Sequence, residues 1–299
     1  MNRRIPTSTV ALLLAATVGC SETTPTQPIA APTEAFSAKQ ATTASRMLYY
    51  DFGNVWIMND DGSGATALTV SADQAFDPSW APDGKRILFN AAKGETQTSI
   101  YVMNADGSAV TRITHPPVGS GDIRPTKFGK GIAFVRWSAG EAIYRANLDG
   151  SGEALVSAGR NPAGSPGGDR LAYVNNGDIH EYNAVTGQSV NLTNTPGISE
   201  SDPSYSPNGK QIVFAATSTG INGIYVMRTD GTAVTRLAWS AVGSHELPKW
   251  SPDGKRIAFS RSDVDFGVLD IYVMNADGSG VTNITQSAAS YDILTAWAR

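Results

Sequence analysis

Ile271-Tyr272-Val273-Met274-Asn275-Ala276-Asp277-Gly278-Ser279-Gly280 is an alternating apolar run that ends in an Asp-Gly turn, and it returns as Ile100 to Ala109 and, more loosely, as Val55 to Gly64. The turn itself occurs six times, at Asp61-Gly62, Asp106-Gly107, Asp149-Gly150, Thr186-Gly187, Asp230-Gly231 and Asp277-Gly278. Each copy lies between two strand-like runs, such as Ile100 to Met103 and Val110 to Thr114. This is a hairpin signal, because Asp-Gly adopts the positive φ angles that a tight turn between two strands requires.

A second turn, Pro82-Asp83-Gly84-Lys85, returns as Pro207-Asn208-Gly209-Lys210 and Pro252-Asp253-Gly254-Lys255. It leads each time into a dense apolar strand: Ile87-Leu88-Phe89, Ile212-Val213-Phe214 or Ile257-Ala258-Phe259. Strands that are apolar on both faces lie inside stacked sheets. A period of about 45 residues built only from strands and turns indicates a β-propeller.

One blade reads as four antiparallel strands, from Pro78-Ser79-Trp80 innermost, through Ile87 to Phe89 and Ile100 to Met103, to Val110 to Ile113 outermost. Further blades are expected at about 122–156, 161–193, 202–237 and 247–285. The sixth is split: residues 47–69 begin at the second strand, and Leu294 to Trp297 supply the first, with Trp297 matching Trp80, Tyr205 and Trp250. The expected fold is thus all-β, a six-bladed propeller over residues 46–299 closed by a blade that joins both ends of the domain, which leaves no open sheet edge in the ring.

Composition agrees with this reading. Thirty glycines and sixteen prolines among 299 residues suit a chain full of turns. The formal charge of −4 and the lack of a Lys/Arg run interleaved with aromatics argue against nucleic acid as a partner.

Residues 1–45 are of another kind. Arg3 and Arg4 precede an apolar stretch from Val10 to Val18, too short to span a bilayer, which stops at Thr17-Val18-Gly19-Cys20. This resembles a bacterial lipoprotein signal peptide. The resemblance implies a signal over 1–19 and lipidation of Cys20, the single cysteine of the chain. Residues 20–45, rich in Thr, Pro, Ala and Ser, read as a disordered tether. Ser21 stands where aspartate marks inner-membrane retention in many such lipoproteins, so the expected location is the outer membrane, facing the periplasm or the cell surface.

The pairing of Pro-x-Trp-x-Pro-Asp-Gly-Lys-Arg-Ile (Pro78 to Ile87, Pro248 to Ile257) with Ile-Tyr-Val-Met-Asn-Ala-Asp-Gly resembles the repeat of the TolB-type propellers, WD-repeat-like proteins of the bacterial envelope. The resemblance covers residues 47–299. It implies a six-bladed ring that docks an envelope protein, with a lipid signal and a linker where TolB carries a separate α/β domain.

In a propeller the innermost strands line the central channel, so residues that enter those strands gather at one mouth. Aligned without gaps on the following Ile or Leu, the entry positions are Asp77, Asp122, Asn161, Asp202, Leu247 and Leu294, and two residues earlier stand Glu200, His245 and Asp292. With Glu246, the expected mouth holds Asp77, Asp122, Asn161, Glu200, Asp202, His245, Glu246 and Asp292. Such an acidic opening suits calcium or magnesium, with Asp77, Asp122, Asp202 and Asp292 as oxygen ligands. The same acids also suit strand capping, and both readings stay open at this point.

Enzyme signatures are scarce: the chain has no Gly-x-Ser-x-Gly elbow, no His-Glu-x-x-His and no phosphate-binding glycine loop. The longer loops between second and third strands place Trp137 and Phe266 where no core periodicity asks for them, and variable loops on a rigid scaffold are where binding specificity lies. The expectation is a monomeric, lipid-anchored, non-catalytic platform that binds a protein or peptide segment, or a wall polymer. The alternative is an envelope glycan-binding protein, or a carbohydrate-active or metal-dependent enzyme that uses the acidic mouth.

Overall fold

The computed structural model describes residues 45–241, 243–262, 268–286 and 291–298. Cys20, the expected signal and tether, and Phe266 lie outside them.

Five sheets each run outward through four consecutive antiparallel strands, and the sixth joins distant parts of the sequence. In that sheet, blade 1, the inner strand Ile293–Ala298 pairs with Arg46–Asp51, which continues into Asn54–Asn59 and Thr66–Ala67. The inner strands of blades 2 to 6 are Ala75–Trp80, Gly121–Phe128, Arg160–Gly164, Ser199–Tyr205 and Ser244–Trp250. The fold is therefore an all-β, six-bladed propeller with four-stranded antiparallel blades.

The core consists of six clusters, one between each pair of neighbouring blades. Leu48 and Val55 of blade 1 pack on Ile87 and Phe89 of blade 2, while Met47 and Met58 on the opposite face of blade 1 pack on Ala258 and Ile271 of blade 6. Every second strand is thus buried on both faces, as its unbroken apolar sequence requires. Within each blade a ring on the second strand lies beside its cross-strand partner on the third: Tyr49 by Trp56, Phe89 by Tyr101, Phe134 by Tyr144, Tyr173 by His180, Phe214 by Tyr225 and Phe259 by Tyr272. Five of these pairs are offset-stacked at centroid separations of 5.6–6.1 Å, a favoured aromatic geometry. His180 takes the place of an aromatic ring in blade 4.

The Asp-Gly turns also join blades. A Cβ on Gly62 would stand 2.2 Å from the Ile284 carbonyl oxygen of blade 6, and its φ of +86° already disfavours any other residue. Glycine here serves close approach between blades as well as the turn.

Candidate binding site at the channel mouth

Five of the six inner strands carry an x-Pro pair whose first residue is left-handed: Asp77 (φ 49°), Arg124 (52°), Asn161 (53°), Asp202 (52°) and Leu247 (54°). Asn and Asp tolerate this conformation better than Arg or Leu, and proline disfavours the helical alternatives for the residue before it. At each of these pairs the ladder to the second strand slips, as between Phe76 and Ser79 or between Ile123 and Thr126. Such a bulge re-aims a side chain. All five residues line one cavity of about 580 Å³, to which all six blades contribute.

Among the described residues, two carboxylates, Asp77 and Asp202, and three cationic residues, Arg124, Lys249 and the exposed Lys127, border that cavity. Arg124 donates to Asp202 at 3.2 Å, and the Asn161 amide donates to the same carboxylate oxygen. Burial pushes the Asp77 carboxyl up, against the pull of the nearby Arg124 guanidinium and amide. Burial likewise pulls the Lys249 ammonium down, against the field of Asp202 and Asp77. The Tyr50 phenol is raised by burial and then by Asp77, with Glu246 and Asp202 adding to it, so Glu246 belongs to the same electrostatic group although it does not line the cavity. The mouth mixes charges of both signs rather than being purely acidic.

The structure divides the residues expected there. Asp77, Asn161 and Asp202 line the cavity, whereas Asp122, Glu200, His245 and Asp292 are buried and lie outside its lining. Asp122 accepts a two-pronged bond from Arg136, Nε at 2.6 Å and Nη2 at 2.8 Å, and Arg136 also donates to Glu153 at 2.6 Å and 2.9 Å. Glu200 accepts from the Thr193 and Thr195 hydroxyls and the Ile179 amide. Burial still leaves its carboxyl raised. His245 stacks on Phe259 at 5.7 Å and so extends the blade 6 ring pair. For Asp122 and Glu200 these contacts favour capping over ligation.

The misplacement of Asp122 has a definite cause. The turn between the first two strands of blade 3 is two residues shorter than in blade 2, since Lys127 pairs with Ile132 where Trp80 pairs with Ile87. Gap-free counting therefore slides by two, and Arg124 rather than Asp122 occupies the entry position. Pro125, in register with Pro78, Pro162, Pro203 and Pro248, is the sequence signal that marks it. Among the described residues no three of His, Cys, Asp and Glu come together as a metal-holding group, so Asp77, Asp122, Asp202 and Asp292 form no cation cage.

Trp137, at the end of the second strand of blade 3, is 39% exposed. Its indole lies over Gly121, where a Cβ would stand 2.6 Å from Nε1. Phe52, 65% exposed in the hairpin of blade 1, meets Tyr291 edge-on at 6.0 Å, a pair that sequence reasoning missed.

Residues 160–298 match the TolB beta propeller domain family. The Tol-Pal system protein TolB of Francisella tularensis subsp. holarctica is 28% identical over 192 residues, which span 58% of this chain and 43% of that protein. The chain thus covers less than half the length of this curated relative. The crystal structure of TolB from Acinetobacter baumannii superposes with a TM-score of 0.68 at 19% identity, over 80% of this chain and 63% of that one. An oligogalacturonate lyase in complex with manganese shares the fold at a TM-score of 0.56 and 13% identity, over 79% of this chain and 71% of that one.

Proposed function

We propose that this chain, a TolB-like six-bladed β-propeller, is a non-catalytic docking platform of the bacterial cell envelope that receives a protein segment on its channel-mouth face. One observation carries the reading. The mouth is a polar ring set in fixed backbone, with Asp77, Arg124, Asn161 and Asp202 directed to the cavity by left-handed bulges and two of them joined across it by an ion pair. Pre-organised groups of both signs favour specific recognition and cost little ordering on binding. The exposed rings Phe52 and Trp137, in the hairpins between second and third strands, supply aromatic contact area on the face where the inner strands begin. The TolB relative supports the envelope setting, and Cys20 supports a lipid anchor.

The test is cross-linked co-purification from native membranes, comparing the wild type with an Asp77→Ala, Asp202→Ala, Trp137→Ala triple variant. Capture of one partner by the wild type alone is the expected result. Equal capture by both, or capture by neither, overturns the reading. In the same preparations Cys20→Ser should move the protein from the membrane to the soluble fraction, and unchanged partition would refute the anchor.

A further inference from the structure

Apart from the exposed Lys127, the cavity holds two half-buried charges that the described ring does not neutralise at contact. Arg124 is committed to Asp202, and Asn161 bonds the same carboxylate. Lys249, from the inner strand of blade 6, and Asp77, from that of blade 2, line the same space, yet among the described residues neither forms a side-chain ion pair at contact; Asp77 feels the nearby Arg124 guanidinium without a salt bridge to it. Both are half-buried, and burial disfavours the charged form of each. Among the described residues, blade 1, which lies between these two blades in the ring, contributes Thr295, Ala296, Trp297 and Ala298 to the wall, none of them charged.

Physical chemistry narrows the ligand that would relieve this arrangement. An anion would satisfy Lys249 and meet Asp77, a cation would do the reverse, and a neutral molecule would leave both charges desolvated and unpaired. A molecule with an ammonium and a carboxylate satisfies both. A volume of about 580 Å³ accommodates a small ligand with room for an apolar side chain. Trp80, Tyr205, Trp250 and Trp297, three residues along the inner strands from the mouth positions, border the cavity while packing into the clusters between blades, which holds the wall rigid.

We infer that the channel binds a small zwitterion, a free α-amino acid or a short unblocked peptide, with its ammonium at Asp77 and its carboxylate at Lys249. This site does not depend on a protein partner, and the partner-capture experiment leaves it undecided in either direction.

The test is calorimetric titration of the full-length protein with the twenty free amino acids and with trialanine, each also in N-acetylated and C-amidated form. Saturable binding of an unblocked probe is expected, weakened at least tenfold by either block. In Asp77→Asn the penalty for acetylation should fall below twofold, and in Lys249→Met the penalty for amidation should do so. Asp77→Glu, which keeps the charge, should restore the first. Tighter binding of trialanine than of any amino acid would assign the natural ligand to peptides, and the reverse order to free amino acids. The inference is overturned if no unblocked probe saturates, if blocked and unblocked probes bind alike, or if the variants keep both penalties. Thermal melts of the variants separate loss of fold from loss of the site.

Discussion

Arg124 in blade 3 donates to Asp202 in blade 5 at 3.2 Å, across the blade that lies between them, whose Asn161 bonds the same carboxylate. The pair is part of the cavity lining and is partly open to it, with side chains 40% and 11% exposed. The Arg136–Asp122 pair in the wall is 9% and 0% exposed. The two pairs should respond differently to mutation.

Asp202→Ala should lower stability by only about 1 kcal/mol, as for a partly solvated ion pair. Asp122→Ala leaves Arg136 buried with Glu153 as its remaining acid and should cost about 3 kcal/mol. Denaturant midpoints of the two variants measure the contrast. Equal losses would mean that the lumen pair is structural.

Gly62→Ala should destabilise the junction of blades 6 and 1 by more than about 2 kcal/mol, because the added carbon meets the Ile284 carbonyl in addition to the φ penalty. Gly187→Ala, with a φ of +71° and no atom within 4 Å, should cost about 1 kcal/mol through backbone conformation alone. Thermal unfolding of both variants tests the difference.

The Asp77 carboxyl is raised in the folded protein, so its ionisation opposes folding. The favourable state exists below the unfolded value of about 3.9 and is lost as pH rises through the higher folded value. Asp77→Asn should therefore gain stability relative to the wild type as pH climbs above about 4, then level off. The turn acids behave oppositely. The Ser108 hydroxyl and amide hold Asp106 below the usual carboxylate range, so its contribution is present above about 3.9 and is lost as pH falls through its folded value. Urea midpoints across the acid range, for Asp77→Asn and Asp106→Ala, should diverge in opposite directions.

Removal of Ile293–Ala298 would strip the inner partner from Arg46–Asp51 and take Leu294 and Trp297 out of the cluster between blades 6 and 1. Aggregation is the expected result, because an unpaired strand edge is a template for other chains. A monomeric, cooperatively melting truncation in size-exclusion chromatography and calorimetry would contradict this.

The architecture was legible because the signals that set it are local and repeated. Asp-Gly turns, Pro-Asp-Gly-Lys turns and doubly apolar second strands recur at one period and need no knowledge of packing. The mouth was harder to read because its geometry depends on a bulge. Simple alternation places Glu200 and Asp202, two residues apart, on one face of a strand. The left-handed Asp202 breaks that alternation, so Glu200 turns into the blade while Asp202 turns to the lumen. Lys249 escaped notice because it lies beyond the proline, inside the channel rather than at its entrance. Phe52 and Tyr291 meet only when the two parts of blade 1 come together, a contact spanning nearly the whole domain.

The division of blade 1 also sets a schedule. Its three outer strands are made before any other strand of the ring, and their inner partner follows only after five further blades. While the chain emerges from a ribosome or a translocation pore, Arg46–Asp51 must wait with one edge unpaired until Ile293–Ala298 arrives. Blades 2 to 6 can each form from contiguous sequence during that interval, so completion of the ring is one late, long-range event. Slow delivery of those few residues would expose the whole molecule to mispairing, and a holding factor on the open edge would act for as long as that delivery takes.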